Sequence, residues 1–197
     1  MKELEILEKF ARENHIPVLL DDSAKFLAEF VNQKQFKNIL EIGTAVGYSG
    51  SIMLLAGQQA NLTTIELNAE SYNKATKTFN GLGLGDRVKQ LLGDAYEHIC
   101  ILNNENKKYD LIFLDGPKGQ YLKYYPLLLN MLEPNGCLLA DNVLFKGMVR
   151  SSQVVPHKKR AMVTKLRQFL KEIETRDDLQ TTIHDIGDGI AEIYKKQ

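Results

Sequence analysis

The sequence predicts a doubly wound α/β fold: a seven-stranded, mostly parallel sheet closed by a C-terminal antiparallel hairpin. Three observations predict it. Short runs rich in apolar and β-branched residues alternate with stretches of helical periodicity, the pattern of successive strand–helix units. Several of these runs are apolar throughout, as strands are when both faces of a sheet are covered. The closing LQTTIHDIGDGIAEIYKK places two strand patterns around Gly187-Asp188-Gly189, a hairpin signal.

The elements follow in order. Two helices, near 2–13 and 22–34, precede the first strand. KNILEI (37–42), LTTIEL (62–67), RVKQLL (87–92), YDLIFLD (109–115) and GCLLADN (136–142) read as strands. Helical stretches lie between them near 46–58, 68–82, 94–104 and 118–132. A long amphipathic helix at about 156–175 carries Met162, Leu166, Phe169, Leu170 and Ile173 on one stripe. No repeat, low-complexity tract or Gly/Ser linker interrupts the chain. Residues 1–197 therefore read as one domain, with 1–35 as N-terminal helices packing on the core.

At 44% hydrophobic and 25% charged, the 197 residues form an ordinary globular composition that can bury a core. No apolar run approaches the roughly 20 residues of a membrane span. The start, MKELEILEKF, is charged rather than secretory. Cys100 and Cys137 have no metal or redox spacing. These features point to a cytoplasmic protein without a membrane partner. The 25 basic and 25 acidic residues cancel, but unevenly. Between Asn142 and Lys171 lie eight Lys/Arg and no acid, leaving 17 basic against 25 acidic residues elsewhere. One face of a neutral protein is expected to be positive.

Open α/β sheets bind ligands beyond the carboxyl ends of their strands. The first strand ends in EIGTAVGYSG, where Gly43 and Gly47 give backbone room for a ligand and a helix follows. The glycine spacing is not the dinucleotide fingerprint, and the lysine of a phosphate-binding loop is missing. Glu66 ends the second strand, where an acid can accept the ribose hydroxyls. Gly93-Asp94-Ala95 ends the third, where a base would lie; Asp94 also reads as a helix N-cap. A nucleoside-shaped site without a phosphate cradle fits S-adenosylmethionine better than NAD or ATP.

The fourth strand ends at Asp115 and the fifth at Asp141-Asn142. Two carboxylates and an amide oxygen suit Mg²⁺ or another hard divalent cation, and no nearby His or Cys favours zinc. Taken alone, Asp141-Asn142 also reads as an Asx turn after a strand, and Asp115-Gly-Pro-Lys118 as a turn with a surface ion pair. Lys118, three residues past Asp115, can point into the same cleft, where a base would take a proton from a hydroxyl polarised by that cation. In this reading Asp115 and Lys118 serve metal and substrate rather than each other.

EIGTAVGYS, the strand-end Glu66, GDA, FLDGPK and LLADN, in this order, resemble the cation-dependent O-methyltransferases of the catechol and caffeoyl-CoA type, from about residue 15 to the closing GDGIAEIYKK. The resemblance implies a Rossmann-like methyltransferase fold and an S-adenosylmethionine-dependent O-methyltransferase. It implies cofactor contacts at Glu41, Gly43, Thr44, Gly47, Tyr48, Ser49, Glu66, Asp94, Ala95 and Asp115. Metal ligands would be Asp115, Asp141 and Asn142, and the base Lys118. NHIPVLL, EIGTAVGYS and DNVLFKGMV resemble the bacterial tRNA 5-hydroxyuridine methyltransferases. That likeness implies tRNA as substrate, a wobble hydroxyuridine becoming 5-methoxyuridine. The basic run supports it independently: Lys146, Arg150, Lys158, Lys159 and Arg160 are the expected RNA-binding residues. The alternative is a small-molecule catechol-type enzyme, with Phe145, Met148 and Tyr121 as apolar walls for the acceptor. A homodimer is compatible with the sequence.

Overall fold

The computed structural model describes residues 18–152 and 154–196, together with Glu8, Lys9 and Glu13. The expected first helix, 2–13, lies almost wholly outside them. The chain divides into two units, Met1–His98 and Ile99–Gln197.

The first unit starts with helix α1 (Asp21–Lys34), followed by strand β1 (Asn38–Ile42) and helix α2 (Tyr48–Ala56). Strand β2 (Asn61–Glu66), helix α3 (Ala69–Gly81) and strand β3 (Val88–Leu92) complete its layers. Helix α4 (Ala95–Asn104) spans the division. The strands are parallel in the order β3-β2-β1. Ile42 pairs with Ile65, and Glu66 with Leu92, so the three carboxyl ends finish level. Leu27, Val31, Ile39, Leu40, Met53, Leu62 and Phe79 form the core and remain almost wholly out of water. Each such side chain contributes about 1.5–3 kcal/mol by burial.

The second unit holds β4 (Tyr109–Leu114), α5 (Tyr121–Asn130), β5 (Leu132–Ala140), α6 (Arg160–Thr175), β6 (Leu179–His184) and β7 (Ile190–Lys195). Its strand order is β4-β5-β7-β6; the first pair is parallel, and the hairpin β6-β7 is antiparallel, as is β7 against β5. The elements match the expected ones with shifted ends. Strand β5 begins at Leu132 rather than 136 because Leu132 pairs with Tyr109. A register shift then accommodates Glu133-Pro134-Asn135 before Cys137 pairs with Leu111. On α6 the stripe includes Val163, fully buried, while Met162 is only half-buried. Among the described residues no helix is long and apolar enough to cross a membrane.

Candidate active site

In the first unit, the turn between β1 and α2 is held from below by a buried polar network. Register sets Glu41 beside Thr64. Glu41 is fully buried, and its carboxylate accepts hydrogen bonds from the Ser49 hydroxyl and from Thr64 Oγ1 (2.6 Å). The Thr44 and Thr64 hydroxyls share a further hydrogen bond. A buried carboxylate is tolerated when its lone pairs are filled in this way. Glu41, Thr44 and Ser49 thus shape the loop from beneath. Thr64 had no signal in the sequence, because only strand pairing brings it to Glu41.

Glu66 is half-buried at the end of β2. Its Oε2 accepts the Ala45 N–H and its Oε1 the Asn68 N–H, both at 2.8 Å. It therefore holds Ala45, whose φ of 46° is left-handed, while its remaining lone pairs suit hydroxyl donors. Gly47 is required for its own reasons. Its φ is 82°, and a Cβ there would sit 3.0 Å from the Phe79 ring. Packing and backbone conformation, rather than ligand approach alone, explain this glycine. The Tyr48 hydroxyl donates to Glu8 (3.3 Å). Asp94 caps α4, its Oδ1 accepting from the N–H groups of Tyr96 (2.9 Å) and Glu97 (3.1 Å); Ala95 follows, half-buried.

In the second unit, Leu114 pairs with Ala140, and the Asp141 N–H donates to Leu114 O (3.0 Å). Asp115 and Asp141 therefore leave the ends of adjacent strands together. Asp141 is almost completely buried. Its Oδ2 accepts from the Asn142 amide (2.9 Å), and its Oδ1 is buried with no hydrogen-bond partner. Burial, and then the negative charge of Asp115, push the Asp141 carboxyl up to about 7. Burial likewise raises Asp115, against the opposing pull of Lys118. Among the described residues no group of three His, Cys, Asp or Glu is gathered for a metal. The set here is two acids and an amide, and its orphaned buried oxygen fits a hard cation.

Two expectations are corrected in this unit. Lys118 Nζ pairs directly with Asp115 Oδ1 at 2.8 Å. Both side chains are about one-fifth exposed, and the Lys118 charge pulls Asp115 and Asp141 down against their burial. Tyr121 cannot wall an acceptor site, because it is fully buried. Its hydroxyl lies 3.0 Å from both Leu114 O and Asp141 O, sharing one proton between the two strand ends. Its ring packs edge-on against Phe169 of α6.

The basic run is less uniform than its composition. Arg150 pairs with Asp185 (2.9 Å), an acid supplied by the β6-β7 turn. Arg167 donates to the carbonyls of Val149, Met148 and Ser151. Lys159 lies over the Phe145 ring at 5.3 Å, and Arg160 Nε donates to Val155 O. Lys146 and Lys158 are exposed. A cavity of about 500 Å³ is lined by Lys146, Met148, Ser151, Val154, Val155 and Pro156.

Strand-end acids and a lysine at the carboxyl ends of a doubly wound sheet are an arrangement of Rossmann-like type. A family model described as O-methyltransferase matches residues 1–196, and the chain belongs to the O-methyltransferase family. The tapetum-specific methyltransferase 1 of Arabidopsis thaliana is 27% identical over 188 residues, covering 94% of this chain and 80% of that protein. A catechol O-methyltransferase of Niastella koreensis is 33% identical over 130 residues, covering 65% of this chain and 59% of that protein. A solved structure from Staphylococcus aureus, provisionally assigned as a caffeoyl-CoA O-methyltransferase, superposes with a TM-score of 0.90 at 29% identity. It covers 98% of this chain and 92% of its own. The fold is thus the expected one, seven strands with an antiparallel C-terminal hairpin. The enzyme class expected from the sequence is the class found.

Proposed function

We propose that the protein transfers a methyl group from S-adenosylmethionine to a hydroxyl chelated by Mg²⁺, and that the acceptor is 5-hydroxyuridine at the tRNA wobble position. The carrying observation is Asp141 Oδ1, a buried oxygen without a partner beside a second carboxylate and an amide. Asp115, Asp141 and Asn142 would hold the cation. When bound, the cation would supply Lewis acidity that lowers the hydroxyl pKa. Lys118, which pairs with Asp115 here, would first release its own proton to solvent, and Nζ in its neutral form would then take the hydroxyl proton. Glu66 accepts the ribose hydroxyls, Asp94 and Ala95 border the base, and the network under Glu41 keeps the loop in shape.

The tRNA reading is supported by where the positive charge sits. His157, Lys158 and Lys159 form a 3₁₀ turn leading into α6, and the first turn of α6 has no acid. Cations at a helix N-terminus oppose the helix dipole, so the arrangement is costly unless an anion is met there. A phosphate backbone is such an anion. One observation favours a small catechol-type acceptor instead: a cavity of mixed lining, with Met148, Val154, Val155 and Pro156 beside Lys146 and Ser151. The test is a methylation assay on tRNA carrying 5-hydroxyuridine and on simple catechols, with Mg²⁺ and with EDTA. Methylation of the tRNA that EDTA abolishes is the expected result. Activity on catechols alone removes the RNA, and activity indifferent to EDTA removes the metal.

A further inference from the structure

The loop that leaves the metal set is held in a conformation its residues do not favour. Asn142 has φ 58°, and Phe145, Lys146 and Gly147 follow one another at 39°, 54° and 71°. Three of these four are not glycine, and such a run persists only where its surroundings over-determine it. The surroundings here are two residues of the β6-β7 turn. Val143 N–H donates to Gly189 O (3.0 Å), and Leu144 and Phe145 N–H to Asp188 O (2.9 and 3.2 Å). Lys146 N–H donates to the Asp188 carboxylate (3.2 Å). Four consecutive amides therefore end on Asp188 and Gly189. The two segments are also seated sterically: Gly189 has φ 86°, and a Cβ there would run into the Leu144 side chain.

We propose that the turn Ile186–Gly189 is a clamp for the metal-side loop, with Asp188 as a positioning residue that acts through the loop on Asn142. The GDG motif thereby gains a role beyond joining two strands. The cation half of this inference rests on the metal reading above. The negative charge of Asp188 also reaches Asp141, but its hydrogen bonds go to the loop: its carboxylate fixes the Lys146 amide, and its carbonyl fixes the two before it.

The test compares Asp188→Ala with Asp188→Asn, which retains an accepting oxygen. Amide hydrogen exchange and calorimetric titration with Mg²⁺ are both read on the cofactor-free protein. In Asp188→Ala, exchange at Lys146 and its neighbours accelerates while β4 and β5 keep their protection, and Mg²⁺ binding weakens by about 10–100-fold, the usual range for an outer-shell partner. Asp188→Asn stays within about threefold of the parent on the same outer-shell scale. Gly189→Ala, which unseats the turn from its other side, reproduces the exchange pattern. Unchanged exchange at 143–146 in Asp188→Ala overturns the clamp. So does equal impairment in Asp188→Asn, because charge rather than the hydrogen bond would then be responsible. If the parent protein takes up no Mg²⁺, the metal reading fails, while exchange at Lys146 still decides the clamp.

Discussion

The two units treat their buried acids in opposite ways. Glu41 in the first has a hydroxyl on each carboxylate oxygen and is finished as it stands. Asp141 in the second has one oxygen filled by its neighbour and one left bare. A satisfied buried carboxylate is architecture, because its desolvation is offset locally. An unsatisfied one is held at a cost of about 1–3 kcal/mol and marks where a ligand belongs.

Substitution breaks the contrast most sharply. If Asp141 holds a cation as proposed, Asp141→Ala lowers turnover by about 10³-fold or more, as expected when several kcal/mol of charge stabilisation are lost. The ligand-free fold becomes more resistant to urea, because a bare buried carboxylate has gone. Glu41→Ala does the reverse: two buried hydroxyls lose their acceptor, stability drops by about 2–4 kcal/mol, and S-adenosylmethionine binding weakens with it. Urea titration and cofactor calorimetry on both variants check the pair. Equal loss of stability in both would erase the distinction.

Lys118→Ala lowers turnover by about 10²–10⁴-fold, the usual share of a positioned base, and leaves cofactor affinity intact. Single-turnover rates across pH measure it; an undiminished rate removes the lysine from the mechanism.

The pH dependence of the ligand-free protein sharpens the contrast further. Asp141 is raised from 3.8 to about 7, by burial first and Asp115 second. A carboxyl raised in the folded state contributes stability below its unfolded value, and that contribution is lost as pH climbs through the folded value. The Asp141 contribution therefore fades between about pH 4 and pH 7, and Mg²⁺ restores stability most strongly at the upper end, where the carboxylate is ionised. Melting temperatures at pH 5 and pH 8, with and without Mg²⁺, read the effect. An Asp141→Asn variant must lose this component.

The smallest effect concerns the basic run. Reversing Lys158, Lys159 and Arg160 to Glu weakens tRNA binding at low salt, and each phosphate no longer neutralised lowers the log–log salt slope by about 0.7–0.9. Filter binding at several salt concentrations measures it. An unchanged slope removes these residues from the interface.

What could be read from the chain was whatever is local. Asp115, Asp141 and Asn142 lie at the ends of apolar runs, with Lys118 three residues beyond one of them, and a strand end can be recognised from its own residues. Partners set by register were hidden. Thr64 reaches Glu41 only because β1 and β2 align, and β5 gains its first residue from pairing with Tyr109, ahead of the apolar run that marked the strand. Tyr121 illustrates the same limit: as an aromatic residue it suggested a wall for a small acceptor, but two strand ends capture its hydroxyl. The acid-free run from 142 to 171 is a true count, yet Asp185 and Asp188 arrive from the far end of the chain to answer part of it.

The grip of Asp188 and Gly189 on residues 143–146 has a temporal side. These partners are more than 40 residues apart in the chain, so loop closure must come before their hydrogen bonds can stabilise anything. On a ribosome, strands β4 and β5 emerge, and their paired ends can form, while the turn that fixes the loop beyond Asn142 has not yet been made. The oxygens of Asp115, Asp141 and Asn142 can be brought together before Ile186–Gly189 is made, and a nascent chain halted before Ile186 carries them in an unset arrangement.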